Sequence, residues 1–403
     1  MAFAYTLFLA LLSRNATYFE PARSTPEDGP TPTVSIIVPT YNEAEVIGRR
    51  LENIAELEFP RDKLQVLVVD SASTDATRDI VRRFAEKHSK EIQVALVEQP
   101  ARLGKAAAIN EAIRQSKADF LVLTDADVTN PRQALSNLLV SFRDSTIGGA
   151  SGVEIPIGEH TLASRIESGY KAIYTAVRMA ESGTDTPFMC ESEFSAYRRD
   201  ALHPLRPGCM CDDIELTVAL RSTGLRGTYV SRALFLEQEA GTLKSKLRHK
   251  LRRGMANQHA ILRCLPVLFD KRFGKYGSIV FPLEFLTHII SPVLVTAGLA
   301  LLLTILLLAP ISGILAIILS LLAAVPPITI LYVLTRRYET SRMIGLRGRL
   351  DWIAGAAAFL FFQVALVGSL IQLGFRGPKL KWEKISETRT EPPGETGISA
   401  PKN

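Results

Sequence analysis

Short apolar runs alternate with helically spaced ones through the first 240 residues. Val34–Val38 is a β-rich run that ends at Pro39. Glu43–Leu57 follows with Val46, Ile47, Leu51 and Ile54 on one helical side. Gln65–Val69 reads as the next strand, and Asp75 is placed to cap a helix that runs to about Lys87. Ile92–Val97 is a third strand, Lys105–Gln115 a helix and Phe120–Thr124 a fourth strand. Asn130 before Pro131 reads as an N-cap and first-turn pair opening a helix through Phe142. This order predicts an α/β domain, 33–240, built on a mostly parallel sheet covered on both faces. Ligands of such sheets gather beyond the carboxyl ends of the strands.

The pattern changes late in the chain. Ile279–Leu308, Ile314–Leu334 and Trp352–Phe375 are three apolar runs, each long enough to cross a hydrocarbon core, which takes roughly 20 residues. They predict a transmembrane region of about three segments over 276–375. Ala2–Leu12 is about half a span and carries no signal-peptide pattern, so 1–20 reads as an interfacial helix. Residues 21–32 hold four prolines and read as a linker. Residues 376–403 form a basic, then Pro- and Gly-rich tail, partly disordered by composition.

Charge orients this picture. Lys271, Arg272 and Lys275 precede the first apolar run, and Arg336, Arg337, Arg342, Arg347 and Arg349 separate the second from the third. The positive-inside rule places these and the α/β domain in the cytosol, as expected of an integral protein of the cell membrane. Three full spans would put the basic tail on the opposite side. Either one apolar segment is re-entrant or interfacial, or the N-terminal run crosses. The stretch 241–275 reads as basic interfacial helices: Leu243, Leu247, Leu251 and Met255 recur every four residues among Lys and Arg. No groove-reading or aromatic motif accompanies them, so nucleic acid is not the expected partner. At 403 residues, 47% hydrophobic and net charge +6, the composition excludes disorder, and four cysteines exclude a disulfide framework.

The candidate chemistry lies at strand ends. The second strand runs into Asp70 and the fourth into Asp125-Ala126-Asp127. Paired carboxylates behind a buried strand need a matching charge, and hard oxygen ligands suit Mg²⁺ or Mn²⁺ bridging a diphosphate. Asp-x-Asp alone is a weak signal, but it does not stand alone. Val34–Glu43 (Val-Ser-Ile-Ile-Val-Pro-Thr-Tyr-Asn-Glu), Val68–Thr77, Gly104–Asn110, Thr124–Asp127 and Cys211–Leu216 resemble, in order and spacing, the motif blocks of family 2 glycosyltransferases. Those are inverting enzymes of the GT-A fold, here resembling an integral-membrane member.

The resemblance implies roles for individual residues. Pro39, Thr40, Tyr41 and Glu43 would line the nucleotide pocket, and Asp70 would hold the base or ribose. Lys105 would lie near the donor or its phosphates. Asp125 would touch the ribose or metal side, Asp127 would bind the metal, and Asp213 would be the general base. Glu215 reads as a structural or solvated acid. Processive relatives carry Gln-x-x-Arg-Trp where this chain has His249-Lys-Leu-Arg-Arg253. The missing Gln and Trp favour a single transfer over polymer synthesis. At least one of Arg252 and Arg253 is expected to face the diphosphate. The expected reaction moves a sugar from a nucleotide-diphosphate sugar, UDP-linked by expectation, to a hydroxyl of a membrane lipid or lipid-linked glycan. The alternatives are a polyprenyl phosphate acceptor, a processive synthase, or a degenerate membrane scaffold without activity.

Overall fold

The computed structural model describes residues 31–157, 162–238, 243–319 and 349–378. Eight strands form one sheet in the order β3-β2-β1-β4-β7-β6-β8-β5. β1 (Val34–Thr40) pairs in parallel with β2 (Leu64–Asp70) on one side and β4 (Phe120–Thr124) on the other, and β2 pairs in parallel with β3 (Gln93–Glu98). Helices α1 (Ile47–Ala55), α2 (Thr77–Lys87) and α3 (Lys105–Gln115) make the crossovers. Successive side chains of β1 and β2 enter opposite layers. Ile36, Val38, Val66 and Val68 join one apolar cluster, and Ile37, Leu67 and Val69 join the other. Both faces are therefore buried, which is why these strands read as unbroken apolar runs.

After β4 the sheet becomes mixed. β5 (Val128–Thr129), α4 (Ala134–Val140), β6 (Ile147–Ile157), α5 (Leu162–Thr184), β7 (Phe194–Arg198), α6 (Asp212–Ser222) and β8 (Arg226–Gln238) follow. β7 runs antiparallel between β4 and β6, while β6 and β8 are parallel. Strand order reverses between β1 and β4, so the crevice beyond their carboxyl ends is a topological switch point. The expected cap at Asn130 is not used as one: α4 starts at Ala134. Arg50 Nη2 donates to Asn130 Oδ1 at 2.7 Å, and Asn130 Nδ2 donates to the Leu234 carbonyl at 3.2 Å. Tertiary partners engage that side chain in place of its own helix.

The C-terminal helices pack on this domain. α7 (Leu243–Arg263) is followed by α8, a continuous helix over Tyr276–Leu308 with two π-helical turns near its start. α9 (Pro310–Leu319) and α10 (Arg349–Arg376) complete the described chain. α8 is the one helix among the described residues long and apolar enough to cross a membrane. The second expected span falls largely outside the described residues, as do the N-terminal helix, most of the 21–32 linker and the tail beyond 378. The third lies in α10, which packs against α5 and α7. Its Phe362, Ala365, Leu366 and Ser369 are buried at helical spacing, while Val364, Ile371 and Phe375 are exposed. α7 likewise turns much of its apolar side inward. Met255, Ala256, Ala260 and Ile261 join a core with Phe188, Met210 and Ile214. Lys244 and Arg248 remain exposed.

Candidate active site

The loops after β1 and β2 are tied together around one carboxylate. Asp70 is fully buried and accepts from Ser73 N at 2.9 Å, from the Ser73 hydroxyl and from Thr40 Oγ1 at 3.3 Å. Asn42 N donates to Ser73 Oγ at 2.8 Å, and Glu43 N donates to Thr77 Oγ1 at 2.7 Å. Asn42 and Ala72 take φ of 54° and 59°, a left-handed backbone that non-glycine residues seldom adopt. Pro39 and Thr40 close β1. The next residue, Tyr41, lies under Arg102, whose guanidinium carbon sits 3.9 Å from the ring centroid. Gly104, at φ 91°, supplies the turn that opens α3 with Lys105.

Lys105 joins motifs that are far apart in sequence. Its Nζ lies 2.8 Å from Asp125 Oδ1, 2.8 Å from Ser192 Oγ and 3.5 Å from Asp212 Oδ2. Burial opposes its charge, but Asp125, Asp212, Asp213 and Glu193 outweigh it and hold the ammonium well above its ordinary pKa. Burial pushes Asp125 up to about 6 against the pull of Lys105, with Glu193 and Asp127 adding to the rise. Beneath them Arg50 Nη2 donates to Thr124 Oγ1 at 2.6 Å, and Thr124 Oγ1 donates to the Glu193 carbonyl at 2.8 Å. Burial brings Arg50 down to about 9, against the opposing charges of Asp125 and Asp127.

Asp212 and Asp213 open α6, so the segment is helical there and not extended. Adjacent residues on a helix point about 100° apart, which lets both serve one site. Asp212 reaches Lys105, and Asp213 Oδ1 accepts from Ser192 N at 2.9 Å. Burial, then the charges of Asp212 and Glu193, drive the Asp213 carboxyl well above the usual range, against Lys105 and the Ser192 bond. Glu215 is buried between Arg206 and Arg263, at 3.1 and 2.9 Å, as a structural acid. Arg252 and Arg253 divide their attention. Burial and Arg253 lower the Arg252 pKa, and Glu237, Asp125 and Asp127 oppose that. Arg253 Nη2 lies 2.8 Å from Glu193 Oε1 and 3.5 Å from Glu237 Oε1.

Asp125 and Asp127 are hard oxygen donors two residues apart, and both are partly open. Their excess negative charge suits a divalent cation. Among the described residues no third His, Cys, Asp or Glu completes a metal cluster with them. A bound ion would therefore draw its remaining ligands from solvent or substrate.

Sequence reasoning missed Arg50, Ser192, Glu191 and Glu193. The Glu-Ser-Glu segment matches no metal spacing, and its partners come from five other elements, α3, β4, β6, α6 and α7. The only available signal was two acids directly after the short apolar run Phe188–Cys190.

The family profile described as "Glycosyl transferase family 2" matches residues 35–206. This supports a family 2 glycosyl transferase domain of GT-A fold over that stretch. Two curated relatives are the "Probable glycosyltransferase YdaM" of Bacillus subtilis (strain 168) and an "N-acetylglucosaminyltransferase" of Rhizobium meliloti (strain 1021). The first is 28% identical over 247 residues, 59% of this chain and 58% of the relative. The second is 28% identical over 283 residues, 65% of this chain and 66% of the relative. The chain thus spans about six-tenths of the length of these relatives. Among solved structures, the mannosyltransferase PcManGT from Pyrobaculum calidifontis, in complex with GDP-Man and Mn²⁺, superposes with a TM-score of 0.60 at 27% identity. The match covers 90% of this chain and 99% of that one.

Proposed function

We propose that this protein is a membrane-bound, inverting glycosyltransferase that moves one sugar from a nucleotide-diphosphate sugar to a hydroxyl of a lipid or lipid-linked glycan. The observation that carries the reading is the meeting of Lys105 with Asp125, Ser192 and Asp212 at the switch point, with Asp213 held by Ser192 N. This arrangement supports reading Asp125 and Asp127 as the phosphate-side acids and Asp212 and Asp213 as the base-side pair, with Lys105 between them. The donor class agrees with the GDP-mannose complex of the mannosyltransferase neighbour and with the N-acetylglucosaminyltransferase relatives.

In this reading Pro39, Thr40, Tyr41 and Glu43 line the nucleotide pocket. Asp70 sets the loop that shapes it, since its oxygens are already bonded within the protein. Asp213 takes the proton of the acceptor hydroxyl as that oxygen bonds to the anomeric carbon from the face opposite the diphosphate. The bond from the anomeric carbon to the diphosphate oxygen breaks, and the nucleoside diphosphate leaves with the electron pair. In this reading Lys105 and Arg252 stabilise the charge that develops on it. Asp127 and Asp125 would hold Mn²⁺ or Mg²⁺, which when bound supplies Lewis-acid stabilisation of the leaving group.

A hydroxyl acceptor needs a base, whereas a polyprenyl phosphate arrives ionised. A candidate base at Asp213, its Oδ1 bonded by Ser192 N, supports the hydroxyl. Purified protein offered a panel of UDP- and GDP-sugars, with and without chelator, tests the reading by nucleotide release and mass spectrometry of lipid products. Metal-dependent turnover and an acceptor one sugar heavier are expected. No turnover of any donor would leave the scaffold alternative, and a ladder of polymers would restore the processive one.

A further inference from the structure

The Asp125-Ala126-Asp127 turn is held from behind by a side chain that the transfer step does not use. Arg50 of α1 is only 2% exposed. Its Nη2 donates to Thr124 Oγ1 at 2.6 Å and to Asn130 Oδ1 at 2.7 Å. One nitrogen thus spans the turn, from the residue before Asp125 to the third residue after Asp127. Nη1 donates to Asn53 Oδ1 at 2.6 Å. Asn53 in turn brackets Asn130, accepting from its N–H and donating to its carbonyl, both at 2.9 Å. Ala126, between the two acids, is buried in the core, while Asp125 and Asp127 are both partly exposed.

A brace of this kind needs hydrogen bonds but no charge. The oxygens that Arg50 bonds are all neutral, and its Nε is buried without a partner. A guanidinium taken out of water with no carboxylate bonded to it is costly unless nearby charges offset it. The acids that act on it most are Asp125 and Asp127. Lys105 Nζ meets the same pair from the other side, 2.8 Å from Asp125 Oδ1. Two fixed cations therefore oppose the attraction of these two carboxylates for a third. A diphosphate brings negative charge of its own and restores that attraction.

We propose that Arg50 is a positioning residue whose fixed charge weakens divalent-cation binding to the nucleotide-free Asp125–Asp127 pair, so that the metal is taken up with the donor diphosphate and not ahead of it. The inference rests on the reading of these acids as metal residues and adds an order of binding to it. The sign of the effect separates charge from brace. A brace holds the ligands in place, so its loss lowers metal affinity. A like charge repels the ion, so its loss raises metal affinity.

Mn²⁺ titrations of the full chain in phosphatidylcholine nanodiscs, which carry no net lipid charge, test this through the EPR signal of the free ion. Without nucleotide, Arg50→Gln should bind Mn²⁺ about tenfold more tightly than the unaltered protein. Arg50→Lys keeps the charge and should not gain affinity. Asn53→Ala loosens the same bonds without removing a charge and should not gain affinity either. In the unaltered protein, saturating UDP or GDP should tighten Mn²⁺ binding by about tenfold or more. That factor should shrink in Arg50→Gln. The nucleotide measurement needs no variant, so it stands even where Arg50→Gln fails to fold. Mn²⁺ held as tightly without nucleotide as with it would overturn the inference. So would an Arg50→Gln variant that binds Mn²⁺ no more tightly than the unaltered protein, or an equal gain in Arg50→Lys. Each of these leaves metal-dependent transfer intact. Failure to bind Mn²⁺ in either condition would overturn the metal reading, and the inference with it.

Discussion

Asp213 and Asp212 differ by what each touches. Asp213 Oδ1 accepts from a backbone N–H, whereas Asp212 leans on Lys105. Asp213→Asn removes basicity at nearly constant shape, so kcat at saturating donor should fall by about 10²–10⁴. Asp212→Asn should be milder, since it loosens only one of the contacts of Lys105. A larger loss at Asp212 would move the base by one residue. Glu191 offers a pH test. Burial pushes it up to about 7 against Lys171, with Glu193 and Glu154 adding to the rise. The folded protein therefore favours its neutral form. That stability is present below the usual carboxylate range and is lost as pH rises through about 7. Glu191→Gln should raise the melting temperature at pH 8, an effect on the order of 3 kcal/mol, and do little near pH 4.5. An equal shift at both values would refute a charge origin. The main motifs could be read from the sequence because their residues sit next to strand ends. The buried charge cluster of Glu154, Lys171, Glu191 and Glu237 could not, because those residues are brought together only by the order of β6, β7 and β8.

At the scale of elements, periodicity located the first four strands and α3 within two residues, because β1, β2 and β4 are buried on both faces and bounded by polar turns. It could not show that β7 inserts antiparallel between β4 and β6, since that pairing depends on where the chain returns after α5. Nor could it show what the apolar side of α7 covers. Gln258, fully buried, donates to the carbonyls of His288 at 3.0 Å and Leu366 at 2.9 Å, and accepts from Ser369 Oγ at 2.8 Å. One side chain of α7 thereby links α8 and α10. Close approach makes this joint possible: a Cβ at Gly254 would lie 2.9 Å from Leu366 Cδ2 and 3.0 Å from Ser369 Oγ. Gly254→Val should lower stability by about 1–3 kcal/mol through overpacking, read as a melting temperature in nanodiscs. Gly298→Val, where nothing lies within 4 Å, should stay within about 0.5 kcal/mol. Equal effects would mean that α10 is not seated as described.

For the whole molecule, the question is where protein ends and lipid begins. α8 runs 33 residues, about 50 Å at helical rise. Its first part is embedded in protein: Tyr276, Val280 and Phe281 are fully buried, and Glu284 meets Arg178 of α5. From Val293 onward the surface is apolar and bare, with Leu301 61% and Leu303 57% exposed. In water, so long an apolar face would be an aggregation liability. In a bilayer the 18 residues Ser291–Leu308 fill about 27 Å, close to one hydrocarbon core. The helix therefore should change solvent between its root and its middle, and exposure within the protein should stop predicting access to water. Two substitutions read this directly, Ser278→Cys and Leu301→Cys, each made alone in a background with the four native cysteines replaced by alanine. Ser278 is exposed at the root. In nanodiscs a water-soluble maleimide should label the thiol at position 278 to completion and leave the one at position 301 unmodified, and after denaturation both should react. Equal labelling rates at the two positions would mean that the apolar face is covered by neither lipid nor protein, and the membrane-bound reading would fall.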